Sequence, residues 1–171
     1  VLDRYYQAAL HYQADIIVRI TSDCPLVDPF LIDYFIQEHI KHKKDFTSNI
    51  VQRTFPDGFD IEIFNFQVLK KAWEEAKLLS DREHVTYYIW KNSNLVNGNL
   101  FTSLNISAEN NLDFSNIRLT LDYPEDKELL VKLIEIDGID KSWIDYVNTL
   151  LRNPLLLDIN RSVNFNLDKF K

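Results

Sequence analysis

A chain of 171 residues that is 46% apolar and 13% aromatic can bury a core of domain size, and no apolar run in it approaches a membrane span. Its net charge of −7 excludes a general nucleic-acid binder, which would present a basic face. A lone cysteine, Cys24, excludes an internal disulfide framework and fits a reducing, cytoplasmic setting.

In chain order, Leu2, Tyr5, Tyr6, Ala9 and Leu10 recur at near-helical spacing and predict a helix over 2–13. The β-branched run Ile16-Ile17-Val18 predicts a strand over 15–20, followed by a short loop that carries Asp23. Asp28-Pro29 then starts a helix to about 41: Asp caps the free N–H groups and Pro takes the first helical position. That helix is expected to bury Leu31, Ile32, Phe35, Ile36 and Ile40, and to end in a solvated basic cluster with His39 and His42. A strand over 45–50 and a turn at Pro56-Asp57-Gly58 follow, then a strand over 59–64 whose alternating acids give it a carboxylate-bearing face.

Asn65 is placed to cap a helix with Val68, Leu69, Ala72, Trp73 and Ala76 as its buried stripe. Ser80 with Glu83 has the spacing of a capping box opening a helix to about 92. Asn97-Gly98 marks a turn before a strand near 100–106, and the polar stretch 107–115 reads as loop. A strand over 116–121 leads into Asp122, with Pro124 opening a helix that stops at Gly138. A last helix spans about 142–152, and 158–171 has no clear periodicity. Strands alternating with helices predict an α/β domain over 1–171.

Asp23 and Asp122 each follow a predicted strand and precede a proline-marked helix. If those strands are near neighbours, both carboxylates reach one crevice, where ligands bind in open α/β sheets. Two carboxylates with water and phosphate oxygens suit Mg²⁺, although Asp before a helix is more often a cap. Arg19 is a charge within an apolar strand, costly unless paired, and is read equally well as an edge-strand arginine. Arg53, Asp57, Asp60, Glu62, Arg82, Glu83 and His84 form a mixed polar set that could hydrogen-bond a polyol or acidic sugar. Each also has an ordinary local role, as turn former, capping-box member or helix residue. Cys24 has no nearby histidine and is read as a packed side chain rather than a nucleophile.

Val1-Leu2-Asp3-Arg4-Tyr5, the run from Arg19 to Pro29, the run from Phe55 to Glu62, the run from Asp81 to Thr86 and Leu121-Asp122-Tyr123-Pro124-Glu125-Asp126 come in one order. With these five motifs the chain resembles the sugar cytidylyltransferases, and among them the spore coat polysaccharide biosynthesis protein F family. The resemblance implies a glycosyltransferase-A-like, Rossmann-related α/β fold: a mixed sheet flanked by helices. It implies transfer of CMP from CTP to a sugar hydroxyl with release of pyrophosphate and with Mg²⁺. It puts Asp23 and Asp122 at the metal, and puts the Asp57–Glu62 and Arg82–His84 segments on the sugar side. Tyr123 stands where the pattern often has Thr.

The partners implied are CTP and a sugar acceptor, with no nucleic acid and no membrane; a homodimer is left open. Only three glycines are present, Gly58, Gly98 and Gly138, with no Gly-rich phosphate loop and no Met. The chain is therefore expected to be the C-terminal part of a cytidylyltransferase, lacking its N-terminal strand and nucleotide loop, and inactive alone. Two rival readings are a metal-dependent glycosyltransferase, for which Asp60-x-Glu62 is a carboxylate pair at the right spacing, and a non-catalytic interaction module.

Overall fold

The computed structural model describes residues 1–163, which divide into two compact units. The first is built from Val1–Arg19, Phe35–Gln52 and Ile61–Ile106. It holds a four-stranded mixed sheet of β1 (Ile16–Arg19), β2 (Phe46–Ser48), β3 (Glu62–Asn65) and β4 (Ser103–Asn105), ordered β1-β3-β2-β4. β3 runs antiparallel to both β1 and β2, and β2 runs parallel to β4. The register sets Arg19 opposite Glu62, and Glu62 opposite Ser48.

The helices of this unit are α1 (Leu2–His11), the second half of α2 (Pro29–His42), α3 (Phe66–Glu75), and the short α4 (Leu79–Glu83) and α5 (Tyr87–Lys91). The apolar stripe of α3 faces inward as its spacing requires: Val68, Leu69, Ala72 and Ala76 are buried with Leu2 and Tyr6 of α1, Phe46 and Phe64. Tyr6 stacks on Trp73 at 4.2 Å between ring centroids. Each large apolar side chain so buried contributes about 1.5–3 kcal/mol.

Four expectations are corrected in this unit. Ile40 is exposed while His39 is buried, its Nδ1 at 2.9 Å from the Thr47 hydroxyl and its Nε2 at 3.1 Å from Asn65 Oδ1. A histidine with two hydrogen-bond partners can turn inward where an apolar residue was expected. Asn65 does occupy the N-cap position of α3, but its amide donates to the Lys44 carbonyl at 2.9 Å instead of capping. The strand expected over 59–64 begins only at Glu62, which is 1% exposed, so its acid faces the interior and not an open carboxylate face. The helix expected from Ser80 to 92 is two helices. Leu78, not Ser80, is the first N-cap, and the chain leaves helical geometry at His84 (φ −96°, ψ 73°). Just past the break, the Thr86 hydroxyl bonds the buried Glu62 carboxylate.

The second unit is built from Ile20–Tyr34, Arg53–Asp60 and the chain from Ser107 onward. Here Asp28 caps the start of α2, its Oδ1 accepting from Phe30 N–H at 2.8 Å and Leu31 N–H at 3.2 Å. Its other oxygen accepts from Trp143 N–H at 3.0 Å, the first residue of α7 (Trp143–Arg152), so one carboxylate serves two helix starts. α6 (Pro124–Asp137) stops at Gly138, whose φ of 85° is open to glycine. Phe55, Phe59, Leu119, Leu129, Leu133 and Tyr146 are among its buried side chains.

The segment 116–121, predicted as a strand, forms none: it opens in a turn, with Ile117 N–H donating to the Phe114 carbonyl at 2.9 Å. It makes one parallel bridge, Asp57 with Arg118, through Asp57 N–H to Ile117 (2.9 Å) and Leu119 N–H to Asp57 (2.7 Å). At its end, Leu121 N–H and the Thr120 hydroxyl bond the Asp23 carbonyl, in a loop rather than a neighbouring strand. The last expectation, an aperiodic 158–171, lies from residue 164 outside the described residues.

Candidate active site

The two loops singled out by sequence meet in the second unit. The backbone carbonyl of Asp23 accepts from Leu121 N–H at 2.8 Å and from the Thr120 hydroxyl at 3.0 Å. Residues about a hundred positions apart are thereby pinned side by side, with Asp122 next in the chain. The Asp23 carboxylate is partly exposed and accepts the thiol of Cys24 at 3.7 Å, a weak bond. Cys24 itself is inert: burial above all pushes its thiol up to about 12, against the opposing hydrogen bond from Thr21.

Asp122 belongs to a network that sequence reading missed. Arg118 is 7% exposed and grips Asp126 with two bonds, Nε to Oδ1 at 2.9 Å and Nη2 to Oδ2 at 2.8 Å. The same guanidinium reaches Asp122 at 2.7 Å and Asp57 at 3.2 Å. Asp126, fully buried, also accepts the N–H groups of Asp122 and Tyr123, each at 3.1 Å, and so caps α6. The Asn160 amide closes the back of the network, donating to Asp126 Oδ1 at 2.9 Å and to the Arg118 carbonyl at 3.0 Å. Burial pushes the Asp126 carboxyl up, but the bonds from Arg118, Asn160 and Asp122 N–H outweigh it and leave it below the usual carboxylate range. The signal that could have found Arg118 is a charge set between Ile117 and Leu119, the same anomaly that drew attention to Arg19.

Arg53 extends the network, pairing with Asp60 through two bonds at 2.8 and 2.7 Å and lying 3.6 Å from Asp57. Burial first, then the neighbouring Asp60, raise the Asp57 carboxyl, with Arg53 and Arg118 opposing. Gly58 lets the turn close against 116–121: at φ 111°, a Cβ there would lie 2.5 Å from the Leu119 carbonyl carbon. Asp57, Asp60, Asp122 and Asp126 thus gather around the Arg53 and Arg118 guanidiniums.

Arg19, Glu62, Arg82, Glu83 and His84 belong to the first unit. Arg19 forms an ion pair with Glu62, whose other oxygen takes the Thr86 hydroxyl. Arg82 donates to the carbonyls of Trp73 (3.0 Å) and Ala76 (3.1 Å) at the C-terminus of α3. Glu83 is exposed, and His84 lies edge-on to Tyr87 at 6.5 Å between ring centroids.

Tested against Mg²⁺, the donors at Asp23 and Asp122 fit in kind, being hard carboxylate oxygens on two loops held by backbone bonds. Among the described residues no group of three or more His, Cys, Asp or Glu converges as a metal cage. An ion there would draw most of its ligands from water and phosphate, as Mg²⁺ commonly does.

Residues 1–153 match the cytidylyltransferase family. The chain is 37% identical over 166 residues to an uncharacterized protein of Methanocaldococcus jannaschii, covering 95% of this chain and 64% of that protein. It is 31% identical over 158 residues to the spore coat polysaccharide biosynthesis protein SpsF of Bacillus subtilis, covering 90% and 62%. The solved structure of a cytidylyltransferase from Leptospira borgpetersenii serovar Hardjo-bovis superposes with a TM-score of 0.83 at 34% identity, covering 91% of this chain and 64% of that one. The chain therefore spans less than two thirds of the length of these relatives. Extending over nearly all of its length, with the fold and the ordered motifs in agreement, the match establishes that this chain belongs to the cytidylyltransferase family.

Proposed function

We propose that this chain forms part of an enzyme that transfers CMP from CTP to a sugar hydroxyl for activated-sugar and surface-polysaccharide synthesis, working in the cytoplasm. In that reaction the sugar oxygen bonds to the α-phosphorus, the bond from that phosphorus to pyrophosphate breaks, and the hydroxyl proton leaves. Such transfer asks the protein chiefly for positioning and charge neutralisation. Family membership supports the reaction class, and the observation that carries the site is the pinning of the Asp23 loop onto Leu121 and Thr120.

Asp23 and Asp122 would hold Mg²⁺, which when bound would neutralise phosphate charge and steady the leaving pyrophosphate. Arg53, Asp57 and Asp60 offer donors and acceptors of the kind a sugar acceptor requires, within the unit that holds Asp23 and Asp122. As to the glycosyltransferase alternative, Asp60 is engaged by Arg53 and Glu62 by Arg19, so the Asp60-x-Glu62 pair gains no support.

In the whole protein, measured as Mg²⁺-dependent pyrophosphate release from CTP over a panel of sugars, Asp23→Asn and Asp122→Asn should each lose most activity. Their combined loss should fall well short of additive, because the two act as a unit. Near wild-type rates in both variants would overturn the assignment.

A further inference from the structure

The network behind Asp122 has a geometry that stability alone does not require. Arg118 already satisfies Asp126 with a two-bond fork, and Asp126 already caps α6. Yet the same guanidinium spends Nη2 a second time on Asp122 Oδ2 at 2.7 Å, and places Nη1 3.2 Å from Asp57. A guanidinium fork holds several carboxylates in one plane, which a single ammonium cannot do. Arg118 is itself fixed from behind, since its carbonyl accepts the Asn160 amide, which also holds Asp126. Burial disfavours its charge, but the bonds to Asp126 and Asp122 prevail and its pKa rises, so it stays a cation at any working pH.

We infer that Arg118 is a positioning residue for Asp122: it aims that carboxylate beside the Asp23 loop and thereby sets the affinity for a divalent cation. This rests on the reading of Asp23 and Asp122 as cation ligands. Removing a group that orients a ligand typically weakens metal binding by about 10–100-fold. The competing account is that Arg118 merely anchors α6 through Asp126.

Two substitutions, both conserving net charge, separate these accounts. Arg118→Lys keeps the cation and loses the fork. Arg118→Gln combined with Asp126→Asn keeps a hydrogen-bonding partner for α6 and removes both charges. The probe is Mn²⁺ alone, titrated into the full chain and read as paramagnetic broadening of the Asp23 and Asp122 amide signals, with thermal unfolding as the fold control. The expected result is a cation affinity about tenfold lower or weaker still in both variants, with the folded spectrum retained. Wild-type affinity in the neutral pair would overturn the inference and leave the cation reading standing. If Arg118→Lys does not fold, the neutral pair decides alone. Absence of broadening in the wild-type chain would instead sink the cation reading, and the role of Arg118 with it.

Discussion

A buried histidine shows most directly how one residue can make the whole fold respond to pH. His39 is held between Thr47 and Asn65, and burial, outweighing the Asn65 bond and the Asp45 charge, lowers its pKa from the ordinary 6.5. The unfolded chain therefore takes up this proton more readily than the folded one. The contribution is fully present above the unfolded pKa and is lost as pH falls through the folded value. The urea midpoint should accordingly drop between pH 7.5 and pH 5, and His39→Gln should flatten that slope; an unchanged slope would show that His39 titrates alike in both states. The position was misread from sequence because a helical stripe marks a face without saying whether a polar residue on it finds partners. Arg118 illustrates the same limit, since its meaning lies in three carboxylates drawn from positions 57, 122 and 126.

At the scale of elements, periodic helices with clear ends were legible. α1, α3, α6 and α7 carry their own apolar stripes, and α6 is bounded by Pro124 and Gly138. Strand partnership was not legible: 116–121 reads as a strand, yet nothing local says that its hydrogen bonds go to Asp57 and Asp23 instead of the sheet. The break at His84 was likewise invisible, and the Glu62 carboxylate that Thr86 bonds just beyond it lies more than twenty residues away. Of the candidate site, the two loops and their aspartates could be read from proline-marked helix starts, whereas the buried cation behind them could not. Arg82 links elements in a similar way by donating to two carbonyls at the end of α3. Arg82→Ala should cost about 1–2 kcal/mol, seen as a lower Tm. In the whole protein at temperatures well below that Tm, the sugar-side role that the family resemblance implies for Arg82 predicts a larger rise in the sugar KM than in the CTP KM. A KM change equal for both substrates would leave Arg82 with the α3 role alone.

For the molecule as a whole, glycine usage sets a sharp expectation. Gly58 and Gly98 both sit where a Cβ would come within 2.5 Å of backbone, and Gly138 ends α6. All three are committed to turns and stops, so none is left to line a phosphate cradle of the Gly-rich kind. The 171-residue chain assayed by itself should release no pyrophosphate from CTP, whatever sugar is supplied. Steady pyrophosphate release would mean that phosphate is held by some other arrangement of this chain's residues.

The interleaving of the two units has a consequence for the order of events during synthesis. The first unit is complete in sequence once Ile106 has been made, whereas the second takes segments from both before and after that point. Asp23 must therefore wait for Thr120 and Leu121 to be translated before its loop has anything to bond, and the Arg118 network waits further for Asn160. Contacts spanning such separations close slowly and late. A nascent chain would thus carry a finished sheet well before the Asp23 loop could close, and a ribosome stalled before residue 160 would hold a half-built protein with its Arg118 network still open.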